Sequence, residues 1–80
     1  MTVIDRVRKF LTEREYIKPG EIIDDSESLL ERGVIDSVGM LNLVEFLERS
    51  YSIEIDEDDL MPENFDSLDA IKNYIGEKVG

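Results

Sequence analysis

G-V-I-D-S-V-G-M-L, Gly33 to Leu41, is the stretch on which the reading of the fold turns. Gly33 supplies a turn, and Asp36 is of the residue type that caps a helix start. Behind it the apolar residues recur at helical spacing, which predicts a helix from Ser37 to about Ser50. At about 100° per residue, Met40, Leu43, Val44, Leu47 and Tyr51 share one arc, the expected core side. Val38, Asn42, Glu45 and Arg49 take the opposite arc, with Leu41 and Phe46 on the flanks. Val38 is therefore an apolar residue on a polar face, near the helix start. Single exposed apolar residues are common, so helix geometry alone assigns it no role.

Toward the N-terminus, Val3, Ile4, Val7, Phe10 and Leu11 fall at helical spacing. They predict a helix from Thr2 to about Tyr16, with Thr2 and Asp5 as a capping pair and Pro19-Gly20 closing the segment. Glu21 to Ser28 is polar and acidic and reads as a long loop, anchored by Ile22 and Ile23 and pinned to the core by Leu29-Leu30. Toward the C-terminus, Ser52 to Asp56 alternates like a strand but has no partner strand, so an extended loop is expected with Ile53 and Ile55 facing the core. Leu60 to Phe65 holds a single helical turn, with Pro62 suited to a first helical position and Phe65 buried. A last helix, Leu68 to about Lys78, is capped by Asp66 or Ser67 and carries the stripe Leu68, Ile71, Tyr74 and Ile75. The expectation is one all-α domain over residues 1–80, with three longer helices, one short one and a long first connection.

The chain of 80 residues has no histidine and no cysteine, 41% hydrophobic residues and a net charge of −11. A domain of this size buries only about 60% of the surface its unfolded chain exposes, which leaves room for a core and a groove but not a deep cleft. The missing cysteines exclude disulfides and thiolate metal sites. No apolar run reaches the roughly 18 residues of a membrane span, and no apolar signal core stands at the N-terminus. A cytoplasmic monomer is the expectation. The charge argues against nucleic acid, whose phosphates would repel it. It is uneven: residues 1–17 carry a net +1, so the remaining 63 carry −12. This surplus is either a solvated surface or a docking surface for basic partners.

Ser37 admits several chemistries. A nucleophilic serine needs a nearby base, and without histidine no Ser-His-Asp triad can form. Lys9, Lys18, Lys72 and Lys78 all lie in charged or polar settings, unlike the desolvated lysine a Ser-Lys pair requires. Asp56-Glu57-Asp58-Asp59 invites a calcium reading, but Leu60 and Met61 stand where the EF-hand loop needs Asp or Asn and then Gly. Ser37 can also be inert, simply starting the helix beside Asp36. Finally, it can be a substrate for another enzyme. A helix N-terminus has unpaired N–H groups and the positive end of the dipole, which stabilise a phosphodiester. Gly39 keeps the next turn free of side-chain bulk, and Val38, Asn42 and Glu45 line the ground beside the attachment point.

Leu30-Glu31-Arg32-Gly33-Val34-Ile35-Asp36-Ser37, followed by Leu41, Leu43, Val44, Phe46, Leu47 and Glu48, resembles the acyl/peptidyl carrier protein family. Its signature is a D-S pair opening the second helix after a short G-[VIL]-[DI]-type run. Ile53-Glu54-Ile55, Asp59-Leu60, Pro62-Glu63-Asn64-Phe65 and Ser67-Leu68 extend the resemblance over nearly the whole chain. It implies an acyl-carrier-protein-like four-helix bundle. It also implies a 4'-phosphopantetheine arm on Ser37, transferred from coenzyme A, whose thiol holds acyl or aminoacyl groups as thioesters. Asp36 would help dock the phosphopantetheinyl transferase. Val38, Leu41, Asn42, Glu45 and Glu48 would be read by partner enzymes with basic docking patches. Such carriers serve fatty acid, polyketide or nonribosomal peptide biosynthesis and are not themselves enzymes.

The chain departs from the D-S-L-D wording of fatty-acid carriers, with Asp36-Ser37-Val38-Gly39, and has Asn42 where an acidic residue is usual. Its wording is closer to stand-alone carriers that serve adenylate-forming ligases, including aminoacyl and D-alanyl-type carriers. The alternative is an acidic helical interaction module that shares the carrier fold but takes no prosthetic group.

Overall fold

The computed structural model describes residues 2–79. Its helices are α1 (Val3–Glu13), α2 (Ser37–Tyr51), α3 (Pro62–Phe65) and α4 (Leu68–Val79), with a 3-10 turn over Glu57–Asp59. The described residues contain no strand. This is the expected all-helical, carrier-like bundle.

Thr2 opens α1 with a capping box. Its hydroxyl accepts from the Asp5 N–H at 3.1 Å, and its own N–H donates to the Asp5 carboxylate at 3.4 Å. The helix ends at Glu13, earlier than the expected Tyr16. Glu15 adopts a left-handed conformation, φ 63°. The Tyr16 N–H then reaches back to the Leu11 carbonyl at 2.9 Å and the Glu15 N–H to that of Thr12 at 3.1 Å. These two bonds make a Schellman cap, and they fold Tyr16 and Ile17 back against the bundle.

Four helices leave a long connection that needs its own anchors. Ile23 and Leu29 are buried, but Ile22 is 78% exposed, so Ile23 alone anchors the acidic part of this loop. Polar bonds supply the rest. The Arg8 guanidinium donates to the Ile23 carbonyl at 2.8 Å and to the Asp25 carboxylate at 2.6 Å. Asp66, at the corner between α3 and α4, accepts from the Leu30 N–H at 2.9 Å and from the Ser28 hydroxyl through its carboxylate. Its carbonyl accepts from the Leu29 N–H at 2.7 Å. The Asp25 carbonyl in turn accepts from Asp69 N–H at 2.9 Å.

The core draws on all four helices: Val7, Phe10 and Leu11 of α1, Leu43, Val44 and Leu47 of α2, Phe65 of α3, and Leu68, Ile71, Tyr74 and Ile75 of α4. α1 packs on both α4 and α2, and α3 on α4. Ser52, expected to begin the extended stretch, instead closes α2 in a left-handed conformation, φ 53°. Residues 53–56 form an irregular connection with Ile55 buried and Ile53 half-buried, as expected. Pro62 takes the first position of α3. Ser67, not Asp66, caps α4, its hydroxyl accepting from the Ala70 N–H at 3.1 Å. Among the described residues no helix is long and apolar enough to cross a membrane.

Candidate functional site

Asp36 fixes the start of α2. Its backbone is extended, its carboxylate accepts from the Gly39 N–H at 2.8 Å, and its carbonyl accepts from the Met40 N–H at 2.9 Å. Ser37 is the first helical residue and is exposed. The residues on either side are held. Val34 and Ile35 are buried, and both their N–H groups donate to the Leu29 carbonyl. Gly33 makes the turn before them with a φ of 77°. The hydroxyl of Ser37 thus projects from a fixed point at the positive end of a 15-residue helix, a setting that favours a bound anion.

Gly39 has a different role from the expected one. It is buried, and a Cβ there would lie 3.1 Å from the Ile35 Cβ and 3.3 Å from the Tyr16 ring. The missing side chain makes room for packing inside the molecule rather than clearing the surface.

Beside Ser37 lies a groove of about 280 Å³. Met40, Leu41 and Val44 of α2 form one wall and Leu60, Met61 and Pro62 the other, with Phe65 and Leu30 closing the base and Ser37 on its lining. The surface is mostly apolar.

The five residues expected to meet partners divide into two groups. Val38 is 65% and Leu41 55% exposed, and Glu45 is exposed too. Asn42 is half-buried and donates to the Tyr16 hydroxyl at 3.2 Å. Glu48 is half-buried and accepts from the Ile55 N–H at 2.9 Å, so it ties α2 to the extended segment that follows. The wall Leu60–Met61 and the approach of the Tyr16 ring to Gly39 in the first turn of α2 go beyond what the sequence pattern predicts. An apolar pair directly before Pro62, in an otherwise acidic stretch, was the available signal for the wall.

The chain has no histidine, so Ser37 has no imidazole to pair with. Among the described residues no three carboxylates converge as metal ligands. Among the same residues three groups are shifted in pKa: Tyr74, Glu27 and its partner Arg32, which is raised by that carboxylate. Burial, followed by the bond to Asp59, pushes the Tyr74 phenol up to about 12. The Arg32 guanidinium, 2.5 Å from Glu27, holds that carboxyl below its usual range and binds the acidic loop to the segment before α2.

The chain belongs to the phosphopantetheine attachment site family, whose sequence model matches residues 5–75. Comparison with curated proteins and with solved structures returned no match. The family's domains are non-catalytic carriers that hold 4'-phosphopantetheine covalently. They work with a phosphopantetheinyl transferase and with partner enzymes.

Proposed function

We propose that residues 1–80 act as one carrier domain whose arm is attached to Ser37 and presents acyl or aminoacyl groups to partner enzymes. The observation that carries this reading is the position of Ser37: an exposed hydroxyl at the start of a long helix, rigidly flanked, on the lining of an apolar groove. The helix end favours the phosphodiester, and the groove offers apolar surface to the arm or to what it holds. The prosthetic group supplies the thiol that forms the thioester. This chain supplies the attachment point and the surfaces around it.

Val38, Leu41 and Glu45 present the accessible part of the face that partners read. Asp36 contributes to transferase docking through the helix start that it shapes. The departures from D-S-L-D favour an adenylate-forming ligase as the loading enzyme. With a net charge of −11, its encounters with basic docking patches are steered electrostatically and weaken with salt.

Because the chain has no cysteine, any thiol it acquires belongs to the arm. After incubation with coenzyme A, magnesium and a broad-specificity transferase, the purified wild type should titrate one thiol and Ser37→Ala none. A wild type that gains no thiol with several transferases would favour the interaction module without a prosthetic group.

A further inference from the structure

One wall of the groove beside Ser37 is poorly anchored by apolar contact. Leu60 is 38% and Met61 47% exposed, so neither is seated in the core. What holds the segment is a set of bonds at its two ends, and both ends meet Tyr74. At one end the Tyr74 hydroxyl donates to the Asp59 carboxylate at 2.8 Å. Lys78 stands 3.9 Å from the same carboxylate and 5.7 Å from the Tyr74 ring centre. The Asp59 carbonyl accepts from the Met61 N–H at 2.8 Å and from the Asn64 side chain at 2.9 Å. At the other end the fully buried Phe65 packs on the Tyr74 ring, their centroids 4.9 Å apart.

We propose that Tyr74 is a positioning residue for the groove: its ring holds the Phe65 end of the wall, and its hydroxyl latches the Asp59 end. The latch sets how far Leu60 and Met61 stand from Met40 and Leu41, and hence the access that a group carried on the arm has to the groove. This second consequence rests on the reading of Ser37 as the attachment residue.

The two ends can be separated by mutation. Tyr74→Phe keeps the ring and removes only the hydroxyl, and it strands no buried charge because Asp59 is partly open to water. Amide hydrogen exchange on the apo chain reads the wall directly. In Tyr74→Phe the Met61 and Asn64 amides should exchange about three- to tenfold faster, the range expected for one net hydrogen bond. The core amides of α1 and α2 should keep their wild-type rates. Asp59→Ala, which also removes the carboxylate beside Lys78, should accelerate the Met61 and Asn64 amides at least as much. The double variant should add little to Asp59→Ala, because the Tyr74 bond is already lost. Asp59→Asn, which keeps an acceptor oxygen, should restore most of the protection. An unchanged wall, or a uniform acceleration over all helices, would overturn the latch.

On the loaded protein, hydroxylamine should cleave an octanoyl thioester about threefold faster in Tyr74→Phe, the low end of the same hydrogen-bond range. An acetyl thioester, too short to use the groove, should show no change. Equal octanoyl rates in variant and wild type would overturn the role in access. The exchange measurement needs no prosthetic group, so it decides the latch even if Ser37 proves not to be the attachment residue.

Discussion

Gly39 shows how closely packing at one residue bears on the site. Alanine is the better helix former, by up to about 1 kcal/mol in a helix interior. At Gly39, however, the new methyl would meet the Ile35 Cβ at 3.1 Å and the Tyr16 ring at 3.3 Å. Ile35 is buried, and its Cβ is fixed to the backbone, so it has little room to yield. Overpacking of this kind costs about 1–3 kcal/mol and outweighs the propensity gain. Gly39→Ala should therefore lower stability by about 1 kcal/mol in denaturant unfolding, with the shift seen at the Tyr16 and Ile35 resonances. Greater stability than wild type would contradict the packing described here. The glycine itself was visible in the sequence. Its neighbour Tyr16 was not, because that contact spans 23 residues and depends on a left-handed Glu15 that nothing local demanded. Most helices that close this way use glycine, so the Glu15 turn carried no signal.

At the scale of elements, local chemistry was legible where it was local. Thr2, Asp36 and Ser67 cap the helices that follow them, Pro62 starts α3, and the apolar stripes of α2 and α4 point inward. The long loop was legible only as a loop. Ile22 and Ile23 look equivalent in sequence, and tertiary bonds decide between them: Arg8 and Arg32 both donate to carbonyls at this point of the loop. Asp66 is the main long-range tie, joining residues 36 to 38 positions apart. Asp66→Ala would leave the Leu30 N–H and the Ser28 hydroxyl without their partner, at a cost of about 1–3 kcal/mol. A urea-unfolding midpoint lowered to that extent is expected, with the first loss of protection in residues 28–35. If the midpoint stayed within error of wild type, the loop would have to be held by other means. The groove wall was equally hidden, because the bond beside it, from the Tyr74 hydroxyl to Asp59, joins residues 15 positions apart.

For the molecule as a whole, charge and titration give a separate test of the packing. Burial and the Asp59 bond raise the Tyr74 phenol from 10.0 to about 12 in the folded state. As pH rises, the unfolded chain loses this proton first. The stabilisation from Tyr74 is therefore complete below pH 10 and is lost as pH climbs toward 12. Phenolate absorbance should show one tyrosine titrating late, near 12, and Tyr74→Phe should remove that late step. A wild type without it would mean that Tyr74 is not enclosed as described. The same whole-molecule view explains why so small a chain can work without catalytic residues of its own. In the proposed carrier role, its core holds the Ser37 hydroxyl in the open with a groove beside it, and its net charge of −11 would suit brief encounters with basic partners.

The central claim is that Ser37 carries the arm. Intact-protein mass after incubation with coenzyme A, magnesium and a broad-specificity phosphopantetheinyl transferase tests it most directly, with Ser37→Ala alongside and the modified peptide fragmented to locate the group. The account predicts a gain of one phosphopantetheine on the wild type, located at Ser37, and none on the variant. A gain on Ser37→Ala, or on any other serine, would contradict it.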